Sequence, residues 1–122
     1  MGDARRFLPL TPQQFHILLA LTGEDRHGYG IILEVERRTA GDLRLGTGTL
    51  YTALAGLVDE ALIAESKRRL GPREDGRRRY YALTPLGRRV LEAETARLDA
   101  LVRQAKRHGV QPAPRPAWSR SK

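Results

Sequence analysis

The chain has 122 residues, 40% of them hydrophobic, and carries a formal net charge of +8, so it has room for about one domain of the usual size. Its sequence contains no cysteine, no histidine cluster with the spacing of metal ligands, no secretory signal and no apolar run of the roughly 18 residues that a membrane helix needs. We therefore expect a cytoplasmic protein that has no disulfide, metal, cofactor or membrane partner.

The first predicted element is a helix with a clear start signal. Thr11 can cap this helix, Pro12 suits the first helical position, and Gln14 completes a capping box. Apolar residues then cover much of the helix circumference. Because one small domain rarely buries so much of a helix, we expect the second apolar stripe, Ile17 and Leu21, to lie in a dimer interface.

A second helix is predicted from about His27 to Arg38, after a polar turn. It contains Gly28 and Gly30, each of which costs about 1 kcal/mol relative to alanine in a helix. We therefore expect either a close approach of another element or a tight helix start at these glycines. Tyr29 lies at the helix N-terminus, where free N–H groups can bind a phosphate. For His27, a local hydrogen bond at the helix start is the alternative to phosphate binding.

A third helix is predicted from about Thr47 to Glu60, and it carries no charge from Thr47 to Val58. Three leucines form the face that should pack on the core, and the opposite face consists of small residues. A solvated helix face usually carries charged residues, so this pattern favours contact with DNA bases and phosphates over plain exposure to solvent. The predicted contact residues are Thr47, Gly48, Thr49, Tyr51, Thr52 and Ala55.

After the third helix the pattern predicts two short strands, residues 62–68 and 78–83, joined by a basic turn. Nine lysines and arginines and two acids lie between Lys67 and Arg89. Such a cluster is typical of a surface that meets phosphates, although an exposed hairpin also uses charge to prevent aggregation and arginine is common throughout this sequence. Strand alternation predicts that Tyr80 faces outward. The candidate phosphate contacts are Lys67, Arg77, Arg78 and Arg79.

A long helix is predicted from Pro85 to about Arg107, and Gly109 should stop it. Its far half carries a coiled-coil-like seam that a domain of this size cannot cover, so we expect it to bind a second copy of the chain. The predicted interface residues on this helix are Leu91, Leu98, Leu101 and Val102.

The order of these elements predicts a mainly α fold with a small β-hairpin: a winged helix-turn-helix with an added long C-terminal dimerisation helix. In this fold the third helix enters the major groove of double-stranded DNA, so we predict a sequence-specific, nucleoid-associated DNA-binding protein. The predicted parts are an N-terminal arm (1–9), the winged helix-turn-helix domain (10–84), the dimerisation helix (85–108) and a disordered tail (109–122).

Five stretches of the sequence form a specific combination: residues 10–21, 27–31, 45–51, 57–63 and 78–87. Their motifs HGYG, GTLY and RRYYALTPLG resemble those of short PadR-like transcriptional regulators, and the resemblance covers about residues 8–101. It implies a prokaryotic homodimeric repressor that binds palindromic promoter DNA, with dimer contacts from the first and last helices. Some short members bind aromatic compounds between the subunits through a tryptophan on the last helix, whereas the single tryptophan here, Trp118, lies in the predicted tail.

The sequence does not predict an enzyme. It contains no Ser/His/Asp or Cys/His set and no phosphate-binding loop, and paired acids such as Glu24 and Asp25 lie in turns or at helix ends. The main alternative function is a sensor or protein-interaction module on the same dimeric fold, which binds a small-molecule effector and contacts DNA weakly. RNA binding would favour exposed stacking aromatics, for which Tyr51 and Tyr80 are the candidates.

Overall fold

The computed structural model describes residues 3–66 and 79–114. Within these ranges the chain is mainly helical with one small sheet, which confirms the predicted fold class. No helix in the described ranges is sufficiently long and apolar to cross a membrane. The helices are α1 (Pro12–Ala20), α2 (Gly28–Arg38), α3 (Thr47–Asp59) and α4 (Pro85–Arg107), and the strands are β1 (Arg26–His27), β2 (Ile63–Ser66) and β3 (Tyr80–Leu83).

The ends of α1 and α4 follow from the residues that flank them. The Thr11 hydroxyl accepts a hydrogen bond from the Gln14 N–H at 3.1 Å, and the Gln14 side chain accepts one from the Thr11 N–H at 2.9 Å, so the predicted capping box is confirmed. Thr84 caps α4 by accepting from the Gly87 N–H at 2.9 Å. Gly109, with a φ of +81°, follows the end of α4 in the left-handed conformation that favours glycine.

The sheet has three described strands in the order β1–β3–β2, and both pairs are antiparallel. The strand that the sequence did not predict, β1, comes from the polar turn before α2 and places His27 opposite Tyr80. The two rings pack edge to face with 5.2 Å between their centroids, and Tyr80 is buried. The prediction that Tyr80 faces outward is therefore wrong, because the additional strand supplies a side chain that covers it.

The core surrounds α1, which packs against α2, α3 and α4. Ile17 is 0% exposed and Leu21 is 3% exposed, and Leu91 on α4 is 5% exposed. The prediction that these three side chains form a dimer interface is wrong, because they fill the core of one protomer. Both apolar stripes of α1 are covered within the domain, since other helices surround it on several sides.

The described part of the predicted arm, residues 3–9, packs onto the domain. Ala4–Phe7 forms a helical turn that lies against α4, and Phe7 and Leu8 pack on the core. Directly after this segment, the Leu10 N–H donates a hydrogen bond to Glu94 Oε2 at 3.1 Å. This hydrogen bond and the packing of the helical turn hold the N-terminal segment against α4, so it does not project from the domain.

Candidate nucleic-acid interface

The candidate interface centres on the outer face of α3. Leu50, Leu54 and Leu57 are buried, because residues at this spacing share one side of a helix. The opposite side is exposed and is uncharged up to Asp59, at the C-terminal end of α3. We call six of its exposed residues the contact face, the same six that the sequence predicted: Thr47, Gly48, Thr49, Tyr51, Thr52 and Ala55.

A groove of about 890 Å³ lies between the contact face and the N-terminal end of α1. A Cβ added at Gly48 or Gly56 would meet no atom within 4 Å, so packing within the chain does not require glycine at either position. Asp59 and Glu60 close one end of the groove. Across residues 3–66 and 79–114, no three acidic or histidine side chains are grouped to hold a metal ion. Apart from Asp59 and Glu60, the groove is lined by uncharged hydroxyl and amide side chains and by small residues.

Sequence reasoning missed several residues that line this groove, among them Gly56, Asp59 and Gln13. Gly56 and Asp59 follow Thr52 by four and seven residues, so helical periodicity places all three on one side of α3 and was a sufficient signal. Gln13, on α1, lines the opposite wall. No local pattern identifies Gln13, since its position beside α3 depends on how α1 and α3 pack.

Tyr51 stands at the flank of the contact face, against the N-terminus of α2. A Cβ built on Gly28 would lie 2.4 Å from Tyr51 Oη and 2.8 Å from Tyr51 Cζ. The close approach expected at Gly28 is thus confirmed. Tyr51 and Tyr29 both remain largely exposed. Tyr51 therefore lies beside the first residue of α2, which precedes Tyr29 in the sequence.

His27 is the N-cap of α2. Its Nδ1 accepts a hydrogen bond from the Gly30 N–H at 3.1 Å. This local bond is the alternative that the sequence left open for His27, and it is confirmed. Because the ring also packs on Tyr80, His27 joins the start of α2 to the sheet.

A buried carboxylate, Glu34, holds α2 in place. Arg37 Nη2 lies 2.7 Å from Glu34 Oε2, Arg38 also binds this carboxylate, and Arg26 Nη2 lies 3.5 Å from Oε1. The hydrogen bonds from Arg37, followed by those from Arg38, lower the pKa of Glu34 despite its burial. Arg26 Nε also donates to the Ala20 carbonyl at 2.8 Å. The cluster therefore ties α2 to β1 and to the end of α1.

The base of the predicted wing carries one of its four arginine and lysine candidates. Arg79 is exposed just before β3, and its Nη1 lies 3.3 Å from Glu65 Oε2. Both side chains are solvent-exposed, so the pair contributes at most about 1 kcal/mol and a phosphate can replace the carboxylate. Burial, followed by the nearby charge of Glu65, raises the pKa of Tyr81 on β3. The other candidates, Lys67, Arg77 and Arg78, lie outside the described residues.

The far half of α4 extends beyond the core. Leu98, Leu101 and Val102 are 38%, 50% and 46% exposed, and we call them the seam residues. Glu94, which interrupts the predicted seam, is buried and accepts hydrogen bonds from Arg97 at 2.6 Å and 2.8 Å. These bonds lower the pKa of Glu94. The charge of Glu94 is therefore paired within the chain, and the three seam residues remain exposed.

Comparison with known sequences gives matches over most of the described domain. The profile of the "Transcriptional regulator PadR-like family" matches residues 17–93. An uncharacterised 37.1 kDa protein in transposon TN4556 of Streptomyces fradiae is 41% identical over 93 residues, which are 73% of this chain and 24% of that protein. The transcriptional regulator YqjI of Escherichia coli is 28% identical over 105 residues, which are 86% of this chain and 48% of that protein. The chain thus spans less than half the length of either curated relative.

Solved structures share the same architecture. A PadR family transcription regulator from Clostridium difficile R20291 superposes with a TM-score of 0.67 at 26% identity, over 82% of this chain and 100% of that chain. Bacillus subtilis PadR in complex with operator DNA superposes with a TM-score of 0.58 at 23% identity, over 89% of this chain and 54% of that chain. The second likeness is one of fold.

Proposed function

This chain belongs to the PadR-like family of transcriptional regulators, as its motifs indicated, and we propose that it is a homodimeric repressor that binds a palindromic operator in double-stranded DNA. Family membership places it among regulators of transcription rather than among enzymes. The observation that carries the proposal is the contact face of α3, which is exposed, uncharged and, apart from Tyr51, built from small residues.

The contact face has the dimensions and chemistry for the major groove. That groove is about 12 Å wide and admits one α-helix, and small residues bring the helix close to the base edges. Thr49 and Thr52 offer hydroxyls to base edges or phosphates, and Ala55 offers a methyl group to thymine. Gly46 begins α3 without a side-chain cap, so the N–H groups of the first turn remain available to a phosphate.

Charge supports DNA as the partner. The net charge is +8, and most of the excess lies between Lys67 and Arg89. Several arginine and lysine contacts to phosphates would release condensed counterions, so the affinity should fall steeply as salt rises. In this proposal the wing residues Lys67, Arg77, Arg78 and Arg79 bind the backbone together with Tyr29 of α2. Bacillus subtilis PadR, which shares this fold, was solved in complex with operator DNA.

Dimerisation through α4 gives the proposed operator its symmetry. The seam residues expose apolar surface that a second copy of α4 would cover. A two-fold axis there would present two copies of α3 to successive major grooves, about 34 Å apart. The matching DNA site is a palindrome, and a dimer seated on it blocks access to a promoter.

The first experiment selects bound duplexes from a random-sequence library with the purified chain. Fluorescence anisotropy then compares the selected duplex with a mixed-sequence duplex at several salt concentrations. Thr52→Glu should abolish the preference for the selected duplex, because the carboxylate faces bases and phosphates at the centre of the contact face. Circular dichroism and the melting temperature should stay nearly unchanged. Ala100→Glu, on the exposed side of α4 away from the seam residues, is the control with the same charge change.

The outcomes of these titrations separate the candidate functions. A variant Thr52→Glu that retains the preference would contradict the role of α3. A wild-type chain with a shallow salt slope and no sequence preference would favour the alternative, a sensor or protein-interaction module. That alternative has a structural basis in the groove of about 640 Å³ between α1 and α4, where a small-molecule effector could bind beside Leu19 and Leu91.

A further inference from the structure

Gly28 and Tyr51 make a contact that leaves no room for a Cβ unless the ring of Tyr51 moves. Gly28 is buried at the first position of α2, and the three atoms nearest to a Cβ built there all belong to Tyr51, at 2.4, 2.8 and 3.1 Å. Real Cβ atoms essentially never lie within 3.0 Å of an atom from another part of the chain, as the first two of these distances would require. The backbone of Gly28 is not in the left-handed region, so its conformation does not require glycine. The absence of a side chain at Gly28 is therefore explained by the ring of Tyr51.

The other glycine of the same motif behaves differently. A Cβ on Gly30 would have its nearest neighbour, His27 Cε1, at 3.6 Å, which is an ordinary van der Waals contact. Alanine therefore fits at Gly30 and not at Gly28, although both positions lie in the first turn of α2. The requirement for glycine is specific to the position that Tyr51 covers.

The ring of Tyr51 extends from α3 and meets the start of α2. A tyrosine has only two side-chain torsions to restrict, so its ring makes a rigid spacer.

We propose that Tyr51 is a positioning residue for DNA binding and that Gly28 admits its ring, so that α2 and α3 meet one duplex at a fixed spacing. This inference rests on the proposed function. The contact face enters the major groove while Tyr29, at the start of α2, meets the flanking backbone, and both contacts form only if the two helices keep their spacing. A side chain at Gly28 displaces the ring of Tyr51 and changes that spacing.

The test is a double-mutant cycle with Gly28→Ala and Tyr51→Ala, measured on the selected duplex and on the mixed-sequence duplex. Gly28→Ala should weaken binding to the selected duplex by at least about tenfold, or about 1.4 kcal/mol. In the Tyr51→Ala background, Gly28→Ala should not weaken the affinity further, because the ring that would clash with the added methyl group is absent. Gly30→Ala is the matched control and should change the affinity by less than about twofold. The loss of affinity in Gly28→Ala should be larger for the selected duplex than for the mixed-sequence duplex. A general loss of stability would weaken binding to both duplexes alike.

A second measurement covers the case in which Gly28→Ala impairs folding. Urea unfolding of the wild type, the two single variants and the double variant gives the same cycle for the free energy of unfolding, without DNA. If Gly28→Ala unfolds and the double variant folds again, the contact with Tyr51 is the cause and the inference stands. Wild-type affinity in Gly28→Ala, additive losses in the cycle, or a double variant that stays unfolded would each overturn it. A wild-type chain that selects no duplex would instead contradict the proposed function, since the stability cycle is independent of DNA.

Discussion

At the scale of single residues, two buried glutamates hold the domain together. Glu34 on α2 and Glu94 on α4 each accept hydrogen bonds from an arginine three residues further along, and each also reaches another segment. Glu34 contacts Arg26 of β1, and Glu94 accepts from the Leu10 N–H. A buried carboxylate is costly unless it is paired, so these two side chains stabilise the fold only while they are charged and hydrogen-bonded.

Glu34→Gln should lower the free energy of unfolding by about 1–3 kcal/mol at neutral pH, because it removes charged hydrogen bonds from a buried site. The pKa of Glu34 in the folded protein lies below its ordinary value of 4.5, chiefly because of Arg37. Its stabilisation is therefore complete above pH 4.5 and is lost as the pH falls through the lower pKa of the folded state. Urea unfolding at several pH values should show that wild type and variant converge in acid.

Glu92→Gln is the control for this measurement. Glu92 lies on the exposed side of α4 and its carboxylate is 3.6 Å from Arg88 Nη1, so the same chemical change occurs in a solvated pair. Its removal should have little effect at any pH. A loss for Glu34→Gln that is the same at neutral and acid pH would show that the charge of Glu34 does not contribute.

At the scale of the elements, two helices differ in whether they need a glycine for packing. Gly56, inside α3, has open space around a built Cβ. Gly87, in the first turn of α4, would place a Cβ 2.0 Å from the Leu62 carbonyl oxygen and 2.9 Å from Leu83 Cδ1. That carbonyl also accepts hydrogen bonds from the Thr84 N–H and hydroxyl, so it cannot move away freely. α4 therefore depends on glycine for packing, whereas α3 does not.

Gly56→Ala should raise the free energy of unfolding by about 0.5–1 kcal/mol, because alanine is the better helix former and the site has room. Gly87→Ala should lower it by about 1–3 kcal/mol through overpacking against the backbone. Urea unfolding measures the free energy of unfolding of both variants. Each variant is the control for the other, because both replace a glycine with alanine. If the groove beside α3 receives DNA, Gly56→Ala also weakens binding to the selected duplex. A destabilised Gly56→Ala would mean that α3 needs this glycine for the fold.

At the scale of the whole molecule, α4 is longer than the domain can cover. Its first half packs on the core through Val90 and Leu91, and its second half carries the seam residues. Full burial of a leucine side chain contributes about 1.5–3 kcal/mol, and Leu98 and Leu101 leave part of this unrealised. In the proposed dimer, a second copy of the chain buries the seam residues. It also supplies the second α3 that a palindromic operator requires.

Leu98→Asp combined with Leu101→Asp should convert the proposed dimer into monomers, or prevent folding, and should abolish operator affinity although no residue of the contact face has changed. Sedimentation equilibrium at micromolar concentration measures the assembly, and anisotropy measures the affinity. Leu33→Asp, at a similarly exposed leucine on α2, is the control and should leave the assembly unchanged. A folded wild-type monomer at that concentration, or a double variant that remains dimeric, would contradict the proposal.

Features that depend on neighbouring residues could be predicted from the sequence. Thr11 with Gln14 marks the start of α1, Pro85 marks that of α4, and Gly109 marks the end of α4, because caps and left-handed turns are formed by groups a few residues apart. The uncharged face of α3 follows from helical periodicity in the same way. The family motifs likewise needed only the order of residues along the chain.

Which element covers each apolar or polar surface could not be predicted from the sequence and follows from the packing of the helices and strands. Periodicity showed that α1 is apolar on two sides, but α2, α3 and α4 cover them, so Ile17 and Leu21 are core residues and not dimer contacts. The burial of Tyr80 depends on β1, which lies more than 50 positions earlier in the chain. The contact of Tyr51 with Gly28 likewise joins two separate helices. Local patterns specify which face of an element is buried, whereas the partner of that face is set by packing between residues distant in sequence.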